Sequence, residues 1–377
     1  MPLHCVRVSN FLITGRVMQM IEPQSTNLYK NLLIKYNIEP DFVEDCGKVQ
    51  KIYSHHGIFA LKKASLTKDM HNRFLHTIQN LHEKGYRYVV PIYRTTDGNY
   101  VISSDQSQFY LMPWVESGIS INSAQRFSDL LREAARMHSI TALRGKINHP
   151  QYEAYYGKMK MHIDQRKLAY ERFIEKCESR IYMSPFELLF CTYFKELMRS
   201  EDEALKNLEE WFAHINDKKE SRIVICHGNL SPTHIVYDAN GNSYLINFER
   251  TFTASPVYDL YYFFRKYFYK YPQKSSDALP LYRQYTRYNQ LTDDERYFLF
   301  YHLAKTNNIH KLIQKYEEAR PKSEKDAVAK LQHYLWQMQA ASSFITSIES
   351  ELEAEIFAEG TGDGTGDGAG EGSVTAP

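Results

Sequence analysis

The chain has 377 residues, too many for one simple core and suited to two lobes of ordinary size. Hydrophobic residues make up 43% and the formal net charge is only +1, which fits a globular interior and argues against a nucleic-acid partner, whose binders carry a basic excess or stripe. The five cysteines, Cys5, Cys46, Cys177, Cys191 and Cys226, stand far apart with no C-x-x-C pair, so they support neither a zinc site nor a redox motif and suit a reducing, intracellular setting.

No apolar run reaches the length needed to span a bilayer, so no membrane insertion is expected. The first twenty residues are mildly apolar, but Arg7 and Arg16 interrupt them and no small-residue cleavage site follows, unlike a signal peptide. Tyrosine and phenylalanine number 29 and 20. They read first as an aromatic core and second as a surface able to join an insoluble assembly.

In chain order, Lys48 to Tyr53 and Gly57 to Lys63 are β-like runs joined by a turn at Ser54-His55-His56. Leu66 to Lys84 follows with helical spacing, Phe74, Leu75, Ile78 and Leu81 on one side and Gly85 as the stop. Tyr88 to Tyr93, Asn99 to Ser103 and Gln108 to Trp114 are β-like, with Asp97-Gly98 as a hairpin turn signal. From Ser123 to Ile215 the pattern is helical and charged, including Lys158 to Ser179 and Pro185 to Ile215. Ile235 to Asp238 and Tyr244 to Phe248 form a second β pair around Asn240-Gly241, a strong tight-turn signal. The remainder to Phe357 is helical, with Val328, Leu331, Leu335 and Met338 as an apolar stripe that reads as core packing. From Gly360 the chain is Gly-rich and acidic and is expected to be disordered.

The chemistry concentrates in CHGNLSPTHIVYDANGNSYLINFE, Cys226 to Glu249, and in Ser255-Pro256-Val257-Tyr258-Asp259-Leu260. This pattern resembles the aminoglycoside phosphotransferase and choline kinase family, which carries H-G-D-L-x-x-x-N-I, then I-D-F-E, then D-P-x-x-D-L. Phe59-Ala60-Leu61-Lys62 looks like the strand bearing the ATP-anchoring lysine, Leu111 to Trp114 like the hinge between lobes, and Ala135 to Ser139 like the family's L-x-x-L-H helix end. The resemblance implies an α+β, two-lobed, protein-kinase-like fold with a small β-rich N-lobe and a larger, mostly helical C-lobe. It divides the chain into an extension with a first helix at 1–42, the N-lobe at 43–114, the C-lobe at 115–358 and a tail at 359–377.

The departures from the family pattern decide the functional reading. Phosphoryl transfer needs a base for the acceptor proton and divalent metal held by hard oxygens. The family's catalytic Asp falls on Asn229, its metal-binding Asn on His234 and its second metal-ligand Asp on Asn247. These positions therefore hold no carboxylate, and no catalytic residue is intact. Glu249, two residues beyond Asn247 on an extended strand, would point the same way. It is at most a candidate metal ligand, and its alternative role is the cleft wall. The turn at Asp45-Cys46-Gly47-Lys48 has one glycine where a phosphate cradle uses several, and α-helical Glu partners for Lys62 are missing, Asp69 being short. His227 and Asp259 match positions that stabilise the family's catalytic loop from beneath. Lys62 is either a relic of the family's ATP-phosphate contact or a residue still paired with a phosphate or an acid.

Within the family, ALKK, PIYRTTDGNYV, YLMPW and NFERTFTASPVYDLYYFFRKYF resemble bacterial spore-coat proteins of the CotS and YsxE kind. That implies a pseudokinase made in the mother-cell cytoplasm and deposited at the spore coat among other coat proteins, with no cofactor expected. The alternative is an active or nucleotide-binding small-molecule phosphotransferase using ATP and magnesium with unusual ligation.

Overall fold

The structure is a computed structural model and describes residues 23–104, 107–116, 120–319 and 323–362. The chain forms two compact units. One runs to His162 and adds Leu205–Lys266 and Leu281–His302; the other holds Ile163–Ala204, Tyr267–Pro280 and the chain from Leu303. The architecture is the expected α+β, with a small antiparallel-sheet lobe and a larger helical one.

In the first unit, β1 (Phe42–Asp45), β2 (Val49–Ser54), β3 (Gly57–Ala64), β4 (Ile102–Ser104) and β5 (Ser107–Pro113) form an antiparallel sheet in the order β1-β2-β3-β5-β4. Side chains alternate faces along each strand. Ile52, Phe59, Leu61, Phe109 and Leu111 share one face and pack against Leu32, Leu33 and Tyr36 in or just after helix α1 (Pro23–Ile34). The other face carries Ala60, Lys62 and Tyr110; Lys62 and Tyr110 are register partners. Helix α2 (Lys68–Glu83) meets that face through Phe74, whose ring lies 5.3 Å from that of Tyr110. Thr67 caps α2 by accepting from the Met70 amide, and α2 buries Phe74, Thr77, Ile78 and Leu81, with Leu75 only half-buried.

Tyr88 to Tyr93 is not a strand. The segment makes one parallel bridge, Val89 to Leu245, and the Tyr93 amide donates to the Leu111 carbonyl. Its backbone groups are divided between the sheet and a distant hairpin, so no ladder forms. Asp97-Gly98 does make a turn, with Gly98 at φ +81°, but no ladder flanks it.

Helix α3 (Ser123–Thr141) leads through β6 (Leu143–Lys146) to two long helices, α4 (His149–Glu178) and α5 (Pro185–Asn216), then to β7 (Glu220–Cys226). No local pattern marks β1, β6, β7 or β10 (Phe252–Ala254) as strands; β6, β7 and β10 make an antiparallel sheet in the order β10-β7-β6. The hairpin β8 (Ile235–Tyr237) and β9 (Ser243–Leu245) forms around Asn240-Gly241 but ends earlier than expected. It docks on α3 by polar contacts: Tyr237 donates to Asp129, Ser243 to Glu133, and Arg126 to the carbonyls of Pro232 and Ile235.

After β10 come helices α6 (Val257–Lys270), α7 (Ala278–Thr286) and α8 (Asp293–Ala304), and the second unit is helical. Tyr170 and Phe173 of α4, Phe186 and Phe190 of α5, Ile313 of α9 (Asn307–Glu318), and Leu331 and Leu335 of α10 (Glu324–Gly362) share one apolar core. The stripe at Leu331, Leu335 and Met338 is thus core packing. Helix α10 runs three residues into the Gly-rich stretch; the expected disorder beyond Gly362 lies outside the described residues. Among the described residues no helix is long and apolar enough to cross a membrane.

Candidate phosphotransferase-like site

Strand β7 delivers Cys226 beside Phe252 of β10, and the chain then turns sharply through His227 and Gly228. Gly228 adopts φ +75°, and a Cβ there would lie 2.1 Å from the Arg250 carbonyl oxygen, so the turn requires glycine. Beneath it, helix α6 (Val257–Lys270) aims Asp259 upward. Its fully buried carboxylate accepts from the amides of His227 (2.6 Å) and Gly228 (2.8 Å) and from His138 Nε2 (3.1 Å). Burial would raise its pKa, but the His138 hydrogen bond and the nearby imidazoles outweigh that and hold it below the ordinary carboxylate value. Tyr285 completes the set by donating to His138 Nδ1 at 2.7 Å. His138, Cys226 and Asp259 cluster closely enough to suggest a metal site, yet hydrogen bonds already engage the histidine and the carboxylate, and burial pushes the thiol pKa well up. The cluster is a structural brace.

The three altered motif positions lie on one continuous chain of contacts. The Asn229 side-chain oxygen accepts from Lys266 Nζ at 2.6 Å. Its backbone carbonyl accepts from His234 Nδ1 at 2.8 Å, so the His234 proton sits on Nδ1. Burial, then the neighbouring His227, lowers the His234 pKa to about 4, and the ring is neutral near pH 7. His227, stacked 5.7 Å away, donates from Nε2 to the Ile246 carbonyl. Next along, the Asn247 side-chain oxygen accepts from Lys62 Nζ, which also pairs with Glu249. Tyr110 donates to the same Glu249 carboxylate at 2.8 Å.

Asn247 and Glu249 reach Lys62 by a route the sequence did not suggest. The strand β9 stops at Leu245. Asn247 takes the left-handed region (φ +73°, ψ +51°), which asparagine tolerates, and Phe248–Arg250 coil into a 3₁₀ turn. The extended-strand premise is therefore corrected: the turn, not strand alternation, brings both side chains to the ammonium. The missing helical partner of Lys62 is supplied by Glu249. Burial favours the neutral acid, but the Lys62 charge and hydrogen bond win and hold the Glu249 pKa down, while burial draws that of Lys62 down against the carboxylate's pull. Lys266, unremarked in the sequence, was findable: it lies two helical turns beyond Asp259, so both share a side of α6.

This donor set does not suit the magnesium that the family resemblance implies. Magnesium wants hard oxygens in strict octahedral geometry. Here both amide oxygens face ammonium groups, the one carboxylate is held by Lys62 and Tyr110, and His234 offers only a nitrogen. The turn above the site is also closed on itself. Gly47 and Gln50 both donate to Asp45 Oδ1, at 2.7 and 2.9 Å, and the Cys46 amide donates to Val49, so these amides do not face a phosphate. A separate cavity of about 290 Å³, walled by Tyr155, Trp211, Tyr258 and Phe298, reaches Ser255 and Tyr258 of the second motif but none of Lys62, Asn229, His234, Asn247 or Glu249. Its Arg222 is bound to Glu295, Asn289 and the Gln290 carbonyl.

Comparison with known proteins bears on the fold. No curated protein matches the chain. In fold it is similar to an aminoglycoside phosphotransferase from Alicyclobacillus acidocaldarius, with a TM-score of 0.66 and 17% identity over 90% of this chain and 99% of that one. It is also similar to a microcompartment-associated aminopropanol kinase, with a TM-score of 0.50 and 13% identity over 85% of this chain and 98% of the other. At such identities the likeness shows the fold alone. Residues 54–297, well over half of the sequence, match the phosphotransferase enzyme family, and the chain belongs to that family.

Proposed function

We propose that this family member no longer transfers phosphate and serves as a structural, assembly-directing protein of the bacterial spore coat. The observation that carries the catalytic half is the occupation of the family's acid positions: Asn229 and Asn247 present their oxygens to Lys266 and Lys62. An amide neither removes an acceptor's proton nor neutralises a divalent ion. The coat assignment rests on the sequence resemblance to spore-coat proteins, and the abundance of tyrosine and phenylalanine fits a surface joining an insoluble assembly. In this reading the protein is made in the mother-cell cytoplasm, its partners are other coat proteins, and nucleic acid has no part.

A fluorescent fusion followed through sporulation tests the coat role. The expected result is a shell around the forespore; a signal that stays diffuse in the mother cell after the coat has formed overturns it. One observation favours a second reading, a small-molecule phosphotransferase with unusual ligation: Lys62 is still held by an acid, as a phosphate-anchoring lysine requires. Turnover of ATP with magnesium separates the two.

A further inference from the structure

The same contacts that disqualify a metal give the site a different chemistry. An ammonium carries donors and no acceptor, so the atom of each asparagine that faces a lysine is its carbonyl oxygen. Fixing Oδ1 of Asn229 on Lys266, and Oδ1 of Asn247 on Lys62, turns each Nδ2 the other way. Among the described residues neither Nδ2 has a hydrogen-bond partner. Where the family pattern has two carboxylates, one a proton base and one a metal ligand, this chain has two amide donors backed by two ammonium groups. The charge balance moves in the same direction. Two carboxylates become neutral, Lys266 is present, and Arg250 stands close enough to depress the Lys266 pKa after burial has done so. Glu249 offsets one positive charge only.

We propose that Asn229, Asn247, Lys62 and Lys266 form an anion receptor that takes a phosphate-bearing ligand, at diphosphate scale, without a divalent cation. The proposal rests on the preceding reading that the site does not transfer phosphate. Lysine binds phosphate as a point charge, and the amides add directed donors. The tethered Lys62 ammonium between Asn247 and Glu249 supplies positive charge at this point of the site. Because the turn at Asp45 to Gly47 directs its amides inward, the phosphate would be read by side chains of the loop and of β3. Nothing in that recognition demands an adenosine moiety.

The test is calorimetric titration of the full chain with pyrophosphate and with ADP, in EDTA and again in excess magnesium chloride. Both ligands are expected to bind in EDTA. Magnesium should weaken them, since the chelate presents less negative charge. Lys62→Ala and Lys266→Ala should each weaken binding about tenfold or more, the scale of one charge-assisted hydrogen bond, while Lys160→Ala, on an exposed pair with Glu209, should leave it unchanged. Equal affinities identify the diphosphate group as the ligand; tighter ADP identifies a nucleotide, and either result supports the receptor. The double variant Asn229→Asp/Asn247→Asp should lose binding in EDTA and require magnesium. Failure of both ligands to bind in EDTA, with normal melting of the protein, overturns the receptor and leaves the loss of transfer standing. Binding by the unaltered chain only with magnesium also overturns it. Turnover of ATP with magnesium, assayed separately on the same protein, overturns the reading beneath it.

Discussion

Replacing Asp259 with asparagine tests whether a buried carboxylate holds the loop that carries Asn229. The carboxylate accepts from two backbone amides and one imidazole, with no exposure to solvent. Asparagine keeps one acceptor oxygen and turns an NH₂ toward a group that is itself a donor. The loss is one charge-assisted hydrogen bond, worth about 1.5–3 kcal/mol, together with a buried donor left without a partner, about 1–3 kcal/mol. A destabilisation of about 3–5 kcal/mol is therefore expected, a large share of a typical total of about 5–15 kcal/mol. Urea denaturation followed by circular dichroism measures it. The pH dependence supplies a second reading. The folded pKa of Asp259 is depressed, so its contribution is complete above the unfolded value of ~3.9 and is lost as pH falls through the folded one. Wild type should therefore lose its advantage over Asp259→Asn in strong acid. A change under about 1 kcal/mol at neutral pH would show that the carboxylate does not brace the loop.

Three further perturbations follow from the same geometry. Gly228→Ala forces a Cβ against the Arg250 carbonyl in a left-handed residue and should cost about 2–4 kcal/mol by denaturation. Lys62→Met leaves Glu249 beside Tyr110 without its cation; burial then raises the carboxylate's pKa, so the variant's deficit, about 2–3 kcal/mol after allowance for partial exposure, should shrink as the pH is lowered in a series of thermal melts. In the helical unit, Glu201 is fully buried and binds Arg166 through both oxygens, at 2.8 and 2.6 Å, as well as the Thr306 amide. Glu201→Ala should cost about 3–5 kcal/mol, whereas the joint change Arg166→Met/Glu201→Leu, which strands no charge, should cost much less by the same denaturation assay.

Local signals are legible in the sequence where local physics decides. Asn240-Gly241 sets its hairpin, and Gly85, at φ +70°, ends α2. Segments whose partners are remote are not legible in this way. Tyr88 to Tyr93 has strand composition, but its backbone bonds reach both Leu111 and Leu245. The short strands β6 and β10 exist because β7 lies between them, a pairing that no local pattern announces. At the site, the altered positions Asn229, His234 and Asn247 were visible from motif spacing alone. What replaced the lost interactions was not, because Lys62 and Asn247 are 185 residues apart and Lys266 and Asn229 are 37 apart. Glu249 reaches Lys62 through a left-handed asparagine, a backbone choice that composition permits but does not dictate.

The most direct test of the account is phosphoryl transfer by the purified full chain, with labelled ATP and magnesium or manganese, offered water, aminoglycosides and amino alcohols as acceptors. The account predicts no release or transfer above that of Asn229→Ala protein. Turnover by the unaltered chain that Asn229→Ala abolishes would contradict it.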